Sequence, residues 1–337
     1  MSILEELEKQ EHMRLSEKAA FADQSRGRLR PPDSEPGDVR TCYQHDTDRI
    51  VHCKAFRRLM HKTQVFLQPE GDHYRTRMTH TLEVTRIART VARALNLNED
   101  LTEAAAMGHD LGHTPFGHAG ESVLSECLGT PFRHNEQSLR VVDVLERNGR
   151  GLNLTYEVRM AILGHTGDRI PETLEGRILR WADRFAYVNH DIDDAIRAGI
   201  LRTEDLPGDV TALLGRTNSE RINTLVADIV SESGISGDIC LSPKVEKALQ
   251  DLRQFLFDRV YRNPTAKGEE EKAKDMIGKL YLYYCDHVEK LPADYQPQLY
   301  KDGVKRTVCD YVAGMTDNYA VDKFTKLFVP LGWQTRG

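Results

Sequence analysis

The chain of 337 residues is 39% hydrophobic and 29% charged, so it is apolar enough to fold around a sizeable core. Its 46 Lys and Arg against 52 Asp and Glu give a net charge of −6, whereas most nucleic-acid-binding proteins carry an excess of positive charge. No stretch approaches the ~18 consecutive apolar residues of a membrane span, and the first residues lack the apolar segment of a secretory signal. We therefore expect a cytoplasmic protein with no membrane partner, whose six widely spaced cysteines are reduced.

Apolar residues recur at helical spacing through most of the chain. The stripe from Ile50 to Met60 predicts an amphipathic helix, and a second helix is expected behind a Thr79 cap. The longest stripe predicts a central helix over residues 173–198. Further helices are predicted over 98–110, 136–148, 155–163, 219–231, 243–262, 272–290, 303–313 and 318–328.

Three segments depart from the helical pattern. Residues 63–67 and 73–75, joined by a stretch with turn chemistry, predict a small β-hairpin. Residues 24–41 are rich in Pro, Gly, Ser and Arg, which predicts an irregular arm rather than a packed element. Residues 202–218 are interpreted as a connection or insertion. The sequence thus predicts an all-α protein with one small hairpin.

Histidine is concentrated in one part of the chain. Eight of the 13 histidines lie between His61 and His165, and the adjacent His109 and Asp110 form a mixed nitrogen and oxygen pair suited to Mg²⁺, Mn²⁺, Fe²⁺ or Zn²⁺. Two ligands do not make a site, and His80 and Asp183 are the best further candidates because both are expected in buried helices. Each of these two, taken alone, also fits a hydrogen-bonded core residue.

Several sequence blocks follow one another in a characteristic order: Ser25–Arg28, Asp48–Leu59, Lys62–Phe66, Arg77–Val84, His109–Glu121, Arg133–Ser138, Gly164–Gly167 and Ala182–Tyr187. This ordered set resembles the HD-domain superfamily of metal-dependent phosphohydrolases, and within it the deoxyguanosinetriphosphate triphosphohydrolase-like proteins. The resemblance implies an HD-domain helical fold, with an N-terminal arm over 1–45, a phosphohydrolase core over 46–200 and a C-terminal helical region over 201–337 packed on that core.

The resemblance also implies the roles of individual residues. His118 is expected to act on the reacting phosphate with Glu121 as its acidic partner, and His134 is a further active-site histidine. His113 could support the water bound to the metal, and a second metal is the alternative role for it. His165 is expected to lie behind the metal ligands. Both roles are left open. The implied ligands of one divalent metal, Mg²⁺, Mn²⁺ or Fe²⁺, are His80, His109, Asp110 and Asp183.

The predicted central helix carries a second group of candidate residues. Asp183, Tyr187 and Asp191 are spaced by four, so they lie on one face of that helix. The counterparts of Tyr187 and Asp191 in related dNTP hydrolases imply that Tyr187 stacks on the sugar and that Asp191 accepts a hydrogen bond from the 3′-hydroxyl. The alternative for Asp191, a solvent-exposed side chain, stays open. The remaining residues that the resemblance assigns to the substrate are Arg77 and Arg184 for the phosphates and Gln64 for the deoxyribose and base.

The implied activity is metal-dependent hydrolysis of a deoxynucleoside triphosphate (dNTP) to deoxynucleoside and inorganic triphosphate. Related enzymes are commonly tetramers or hexamers, so a homo-oligomer is expected, and an activating dNTP is left open. The alternatives are another HD phosphohydrolase, a 5′-nucleotidase or phosphodiesterase, and a protein that binds nucleotides or single-stranded nucleic acid. The intact metal quartet and the His118–Glu121 pair favour an enzyme.

Overall fold

The computed structural model describes residues 2–31, 39–64, 75–261 and 264–330. Within these ranges the chain is built from α-helices, joined by short 3₁₀ and π turns, which confirms the all-α class. None of the described helices combines the length and apolar character needed to cross a membrane. The helices are α1 (Ile3–Arg14), α2 (Cys42–Val51), α3 (Lys54–Arg58), α4 (Arg77–Ala94), α5 (Glu99–Gly108), α6 (His118–Leu128), α7 (His134–Arg140), α8 (Glu146–Gly149), α9 (Tyr156–Gly164), α10 (Leu174–Arg197), α11 (Gly208–Leu214), α12 (Asn218–Ser236), α13 (Pro243–Leu256), α14 (Pro264–Asp286), α15 (Gln296–Ala313) and α16 (Asp317–Phe328).

The predicted β-hairpin is not supported. Most of it falls on residues 65–74, which lie outside the described residues. At its base, Thr63 and Thr76 form one isolated antiparallel bridge, and the backbone N–H of Arg77 donates to the carbonyl of Lys62 at 3.0 Å. The residues that the structure describes contain no extended strand.

Helix α10 is the longest element and confirms the central helix predicted over 173–198. The Thr173 hydroxyl caps its first turn by accepting from the backbone N–H of Gly176 at 3.2 Å. The apolar face buries Ile178, Phe185 and Ile192 completely against α4, α9, α12 and α13. Burial of each such side chain stabilises the fold by about 1.5–3 kcal/mol, so this face holds α10 at the centre of the protein.

Helix α4 begins one turn earlier than predicted, because its N-cap is Thr76 and not Thr79. The Thr76 backbone is extended, and its hydroxyl accepts from the N–H of Thr79 at 3.4 Å. The Thr79 hydroxyl in turn accepts from the N–H of Thr76 at 3.0 Å, so the two threonines satisfy each other's backbone donors. The earlier start puts Arg77 and His80 together in the first turn of α4.

The structure adds detail to two other expectations about local structure. The segment 202–218, interpreted as a connection or insertion, contains α11, whose Val210 and Leu214 are buried. The described part of the arm is irregular as predicted, and polar contacts anchor it: Arg28 bridges to Thr155 and forms an ion pair with the buried Asp46. Residues 32–38 of the arm lie outside the described residues.

Helix α6 is the link between the histidine-rich part of the chain and the C-terminal helices. Its inner face packs against α14 and α15. The apolar cluster that joins these helices includes Leu124 from α6, Ile277 and Leu280 from α14, and Val308 from α15. Because His118 is the first residue of α6 and Glu121 lies one turn later, the C-terminal helices determine where these two side chains lie.

Candidate metal centre and active site

Three separate helical segments bring the predicted metal ligands together. His80 comes from the first turn of α4, and His109 and Asp110 come from the end of α5. These three residues offer ligand atoms that all lie within 4.8 Å of one another, and all three are buried. Asp183 of α10 stands beside them, with its Oδ1 3.1 Å from His80 Nε2 and 3.9 Å from His109 Nε2.

The hydrogen bonds of His109 favour a cation in this cluster. Its Nδ1–H donates to the carbonyl of Ala106 at 2.7 Å, so in the neutral ring Nε2 carries the lone pair. Among the described residues this Nε2 has no hydrogen-bond partner, yet it faces Asp110 Oδ1 at 3.4 Å and Asp183 Oδ1 at 3.9 Å. A lone pair and two carboxylates repel each other, and a divalent cation between them removes that repulsion. The residues present therefore fit a metal ion.

Both carboxylates are held in their ionised form. Burial raises the pKa of Asp183, but the hydrogen bond with His80, and the charge of His109 when that ring is protonated, outweigh burial and hold its pKa at about 2. Burial likewise raises the pKa of Asp110, but His109 and His113 in their protonated forms, together with the permanently charged Arg77, outweigh it, so its pKa lies well below the usual range. Ionised carboxylates with imidazole nitrogens form a ligand set for a divalent cation, and the set does not identify which metal it holds.

Arg77 supports the cluster from one side. Its Nη1 donates to Asp110 Oδ2 at 2.9 Å, which leaves Oδ1 of the same carboxylate on the side of the histidines. A second partner of this kind orients a metal ligand. Arg77 is itself buried. This residue, expected on a phosphate, thus contacts a predicted metal ligand, while its Nε has no partner among the described residues.

A second group of polar side chains lies beside the candidate metal ligands and centres on Glu121. Its Oε1 accepts from His134 Nδ1–H at 2.8 Å, whereas His118 Nδ1 is 3.7 Å from Oε2. Burial raises the pKa of Glu121, but His118 and His134 outweigh burial and hold it at about 2. His118 and Glu121, the predicted pair, are therefore neighbours, but the Glu121 carboxylate lies closer to His134 and accepts its hydrogen bond from that ring.

The ring of His134 donates from both nitrogens. Because His165 Nδ1–H donates to the carbonyl of Ile162 at 2.7 Å, His165 Nε2 is an acceptor, and it lies 3.2 Å from His134 Nε2. Burial lowers the pKa of His134, but the hydrogen bond and charge of Glu121 outweigh burial, so the net pKa is raised. His165 itself is buried, which lowers its pKa to about 3 and keeps it neutral. The arrangement favours His134 as an imidazolium ion.

His113 lies between the two groups. Its Nε2 is 3.4 Å from Asp110 Oδ1, its Nδ1 is 3.5 Å from Glu121 Oε1, and its ring stacks on that of His134 at 4.1 Å. Asp110, His113 and His134 also offer ligand atoms within 4.8 Å of one another. Burial, Arg77 and His134 lower the pKa of His113 well below its usual range. A neutral imidazole there connects the metal cluster to the Glu121 group.

The candidate substrate residues of α10 lie on the face predicted for them. Tyr187 is half-buried between Asp183 and Asp191, and burial raises its pKa to about 12. Burial raises the pKa of Asp191 well above its usual range, and the nearby Asp194 and Asp183 raise it further. Arg184, expected on a phosphate, has its guanidinium 5.0 Å above the ring of Trp181.

Gln64 approaches the same region from the segment before α4. Its backbone carbonyl lies 3.9 Å from the point where a Cβ would stand on Gly117, directly before His118. The same point is 3.1 Å from Arg77 Nη2, and Gly117 has a φ of +55°, so glycine suits both the space and the backbone there. Gln64 Oε1 is buried and has no partner among the described residues.

Sequence reasoning missed Ser138, which joins α7 to the turn over residues 109–112 that carries His109 and Asp110. Its hydroxyl donates to the carbonyl of His109 at 2.6 Å and accepts from the N–H of Gly112 at 2.9 Å. Ser138 lies in one of the blocks that carry the family resemblance, but a serine in a helix gives no signal of which distant backbone it binds.

Comparison with known proteins identifies the family. Residues 77–188 match the HD domain, and residues 239–326 match the phosphohydrolase-associated domain. A deoxyguanosinetriphosphate triphosphohydrolase-like protein of Caldanaerobacter subterraneus subsp. tengcongensis is 53% identical over 333 residues, which cover 99% of this chain and 98% of that protein. Proteins with the same description from Clostridium perfringens and Geobacter sulfurreducens are 48% and 40% identical, over 98% and 93% of this chain and 98% and 94% of their own lengths. The chain therefore belongs to the deoxyguanosinetriphosphate triphosphohydrolase-like family of HD-domain phosphohydrolases.

Proposed function

We propose that the protein hydrolyses deoxynucleoside triphosphates to deoxynucleoside and inorganic triphosphate with a divalent metal. The observation that carries the proposal is the convergence of the buried His80, His109 and Asp110 with the partly buried Asp183, beside the hydrogen-bonded Glu121–His134 pair. The description of the relatives, which names deoxyguanosine triphosphate, supports the choice of substrate class.

His80, His109, Asp110 and Asp183 would hold the metal, with Mg²⁺, Mn²⁺ and Fe²⁺ as the candidates. A divalent ion bound there supplies Lewis-acid polarisation of a phosphate oxygen. Arg77 orients Asp110 and offers its remaining N–H groups to the triphosphate, as a guanidinium fork suits phosphate oxygens. Arg184, whose guanidinium lies over the ring of Trp181, is proposed as the second phosphate contact.

The reaction needs one proton at the leaving oxygen. Water attacks the α-phosphorus, the bond from phosphorus to the 5′-oxygen breaks, the water oxygen stays with the triphosphate, and the 5′-oxygen takes up a proton. We assign this proton to His118, whose side chain is 89% exposed and so can contact a bound substrate, with the ionised Glu121 orienting it. His134 is the second candidate because its ring donates from both nitrogens.

Tyr187, Asp191 and Gln64 are proposed to recognise the deoxyribose. We expect Tyr187 to lie where a ribose 2′-hydroxyl would need space, and Asp191, on the same face of α10, to accept a hydrogen bond from the 3′-hydroxyl. A 2′-hydroxyl buried without a partner costs about 1–3 kcal/mol, which corresponds to roughly 5- to 150-fold discrimination. We therefore expect dNTPs to be hydrolysed ahead of the matching NTPs.

Product analysis tests the proposal. The purified protein is incubated with each dNTP and NTP and with Mg²⁺ or Mn²⁺, and the products are separated by anion-exchange chromatography. Intact triphosphate with deoxynucleoside is the expected result, whereas release of orthophosphate or a nucleoside monophosphate would instead indicate a different HD hydrolase. Asp110→Ala should abolish turnover, and Asp251→Ala, which removes an exposed partner of Lys247, is the matched control.

The proposal extends to assembly and regulation. We expect a homo-oligomer, a tetramer or hexamer, which size-exclusion chromatography with light scattering measures directly. Assays with pairs of dNTPs test for an activating nucleotide, and retention of single-stranded oligonucleotides tests for nucleic-acid binding.

A further inference from the structure

Two buried polar residues connect the C-terminal helices to the loops beside the candidate active site. Lys62 donates from Nζ to the carbonyl of His113 and, at 3.0 Å, to the carbonyl of Ala313 at the end of α15. Asp317, the first residue of α16, accepts from the backbone N–H of Thr63 at 2.9 Å and from the hydroxyl of the same residue. Lys62 and Asp317 are 3% and 2% exposed, so water does not compete for these bonds.

Asp317 holds both loops at once. While its Oδ2 binds Thr63, its Oδ1 accepts from the backbone N–H of Phe116 at 3.1 Å. Thr63 is followed by Gln64, and Phe116 stands two residues before His118. One carboxylate of the C-terminal region thus determines the separation between the proposed sugar contact and the proposed proton donor.

The backbone of the second loop needs such an anchor. Phe116 has a φ of +59° and Gly117 a φ of +55°, and the first is an unfavourable conformation for a residue with a Cβ. The Asp317 bond to the Phe116 N–H and a 2.7 Å bond from the Thr114 hydroxyl to the Gly117 carbonyl hold this turn. Without the carboxylate, the Phe116 N–H loses its bond to α16, although Lys62 still binds the carbonyl of His113.

We propose that Asp317, with Lys62, is a positioning residue of the active site, through which the C-terminal helices set the distance between the Gln64 segment and the His118 loop. Asp317 is not a metal ligand in this proposal, and it does not contact the substrate. The effect on turnover rests on the proposed dNTP hydrolysis, while the effect on the two loops does not.

The test compares Asp317→Asn with Asp322→Asn. Both residues lie on α16, but Asp322 is exposed and pairs only with Lys326 at 2.8 Å among the described contacts. In Asp317→Asn, one carboxylate oxygen becomes an NH₂ group that faces N–H donors. We expect faster hydrogen exchange in peptides that contain Thr63 and Phe116, unchanged exchange in α5 and unchanged metal content. The expected kcat for dNTPs falls by about 10- to 100-fold, as misplaced groups typically cause, and the preference for dNTPs over NTPs narrows.

Two milder variants keep the test decisive if Asp317→Asn folds poorly. Asp317→Glu keeps the carboxylate and should recover part of the kcat, and Thr63→Val removes only the hydroxyl donor and should change exchange in the same direction. A wild-type exchange pattern or a wild-type kcat in folded Asp317→Asn would overturn the positioning role. If the wild type hydrolyses no dNTP, the proposed function fails, and the exchange measurement still shows whether Asp317 holds the two loops.

Discussion

Gly112 packs closely against α7, and replacing it by Ala tests how tightly α7 docks on the turn that carries His109 and Asp110. A Cβ on Gly112 would stand 2.1 Å from the backbone nitrogen of Ser138, 2.4 Å from the carbonyl carbon of Gln137 and 2.6 Å from the carbonyl oxygen of His134. Ordinary contact begins at 3.4 Å, so the Ser138 nitrogen must retreat by 3.4 − 2.1, or about 1.3 Å. These neighbours are backbone atoms, which cannot rotate away.

The expected loss of stability has two parts. Overpacking of this kind costs about 1–3 kcal/mol, and weakening the two hydrogen bonds of Ser138, to His109 and Gly112, costs about 1 kcal/mol each. The sum of about 3–5 kcal/mol corresponds to a fall in Tm of roughly 4–7 °C, given an unfolding entropy of about 2.1 cal/mol/K per residue over a chain of 337 residues. Because α7 carries His134, a shift of about 1 Å should also lower kcat by up to about 100-fold.

The measurements are thermal unfolding followed by circular dichroism, and kcat at a temperature where the variant is folded. Gly234→Ala is the control, because Gly234 lies in α12 and a Cβ there meets nothing within 4 Å. It should be neutral or stabilising by up to about 1 kcal/mol, the difference in helix propensity. A Gly112→Ala protein with the Tm and kcat of the wild type would refute the close docking of α7.

Three further predictions concern the candidate site itself. Asp110→Ala should lose bound metal, measured by mass spectrometry, while keeping its helical circular dichroism; normal metal content with full turnover would disprove the ligand set. His118→Ala should lower kcat by about 10²–10⁴-fold with metal still bound, and if only His134→Ala has that effect, the proton donor is His134. Tyr187→Ala should lower the ratio of kcat/KM for dGTP to kcat/KM for GTP. Equal kcat/KM for the two nucleotides in the wild type would contradict the proposed sugar pocket.

Local periodicity and motif order determined the class of the protein and its ligand candidates. The stripe that predicted a helix over 173–198 matches α10, Leu174–Arg197, because apolar residues on one face are what a buried helix needs. The same reasoning did not find α1, whose mainly polar sequence leaves no apolar stripe and whose start is defined by a Ser2 capping box. It also placed the cap of α4 at Thr79 instead of Thr76, because a threonine at either position has the hydroxyl that an N-cap needs.

Only the tertiary structure decided which distant groups meet. The spacing of three residues pairs Glu121 with His118 in the sequence. In the structure the hydrogen bond of Glu121 is to His134, thirteen residues later, because the fold brings the first residue of α7 beside the first turn of α6. Arg77 contacts Asp110 from another helix, and Asp317 reaches Thr63 across 254 residues of chain. A repeat along one helix encodes which face is buried, but it holds no information on which polar groups of other helices that face will meet. The partners of a buried charge therefore follow from how the helices pack.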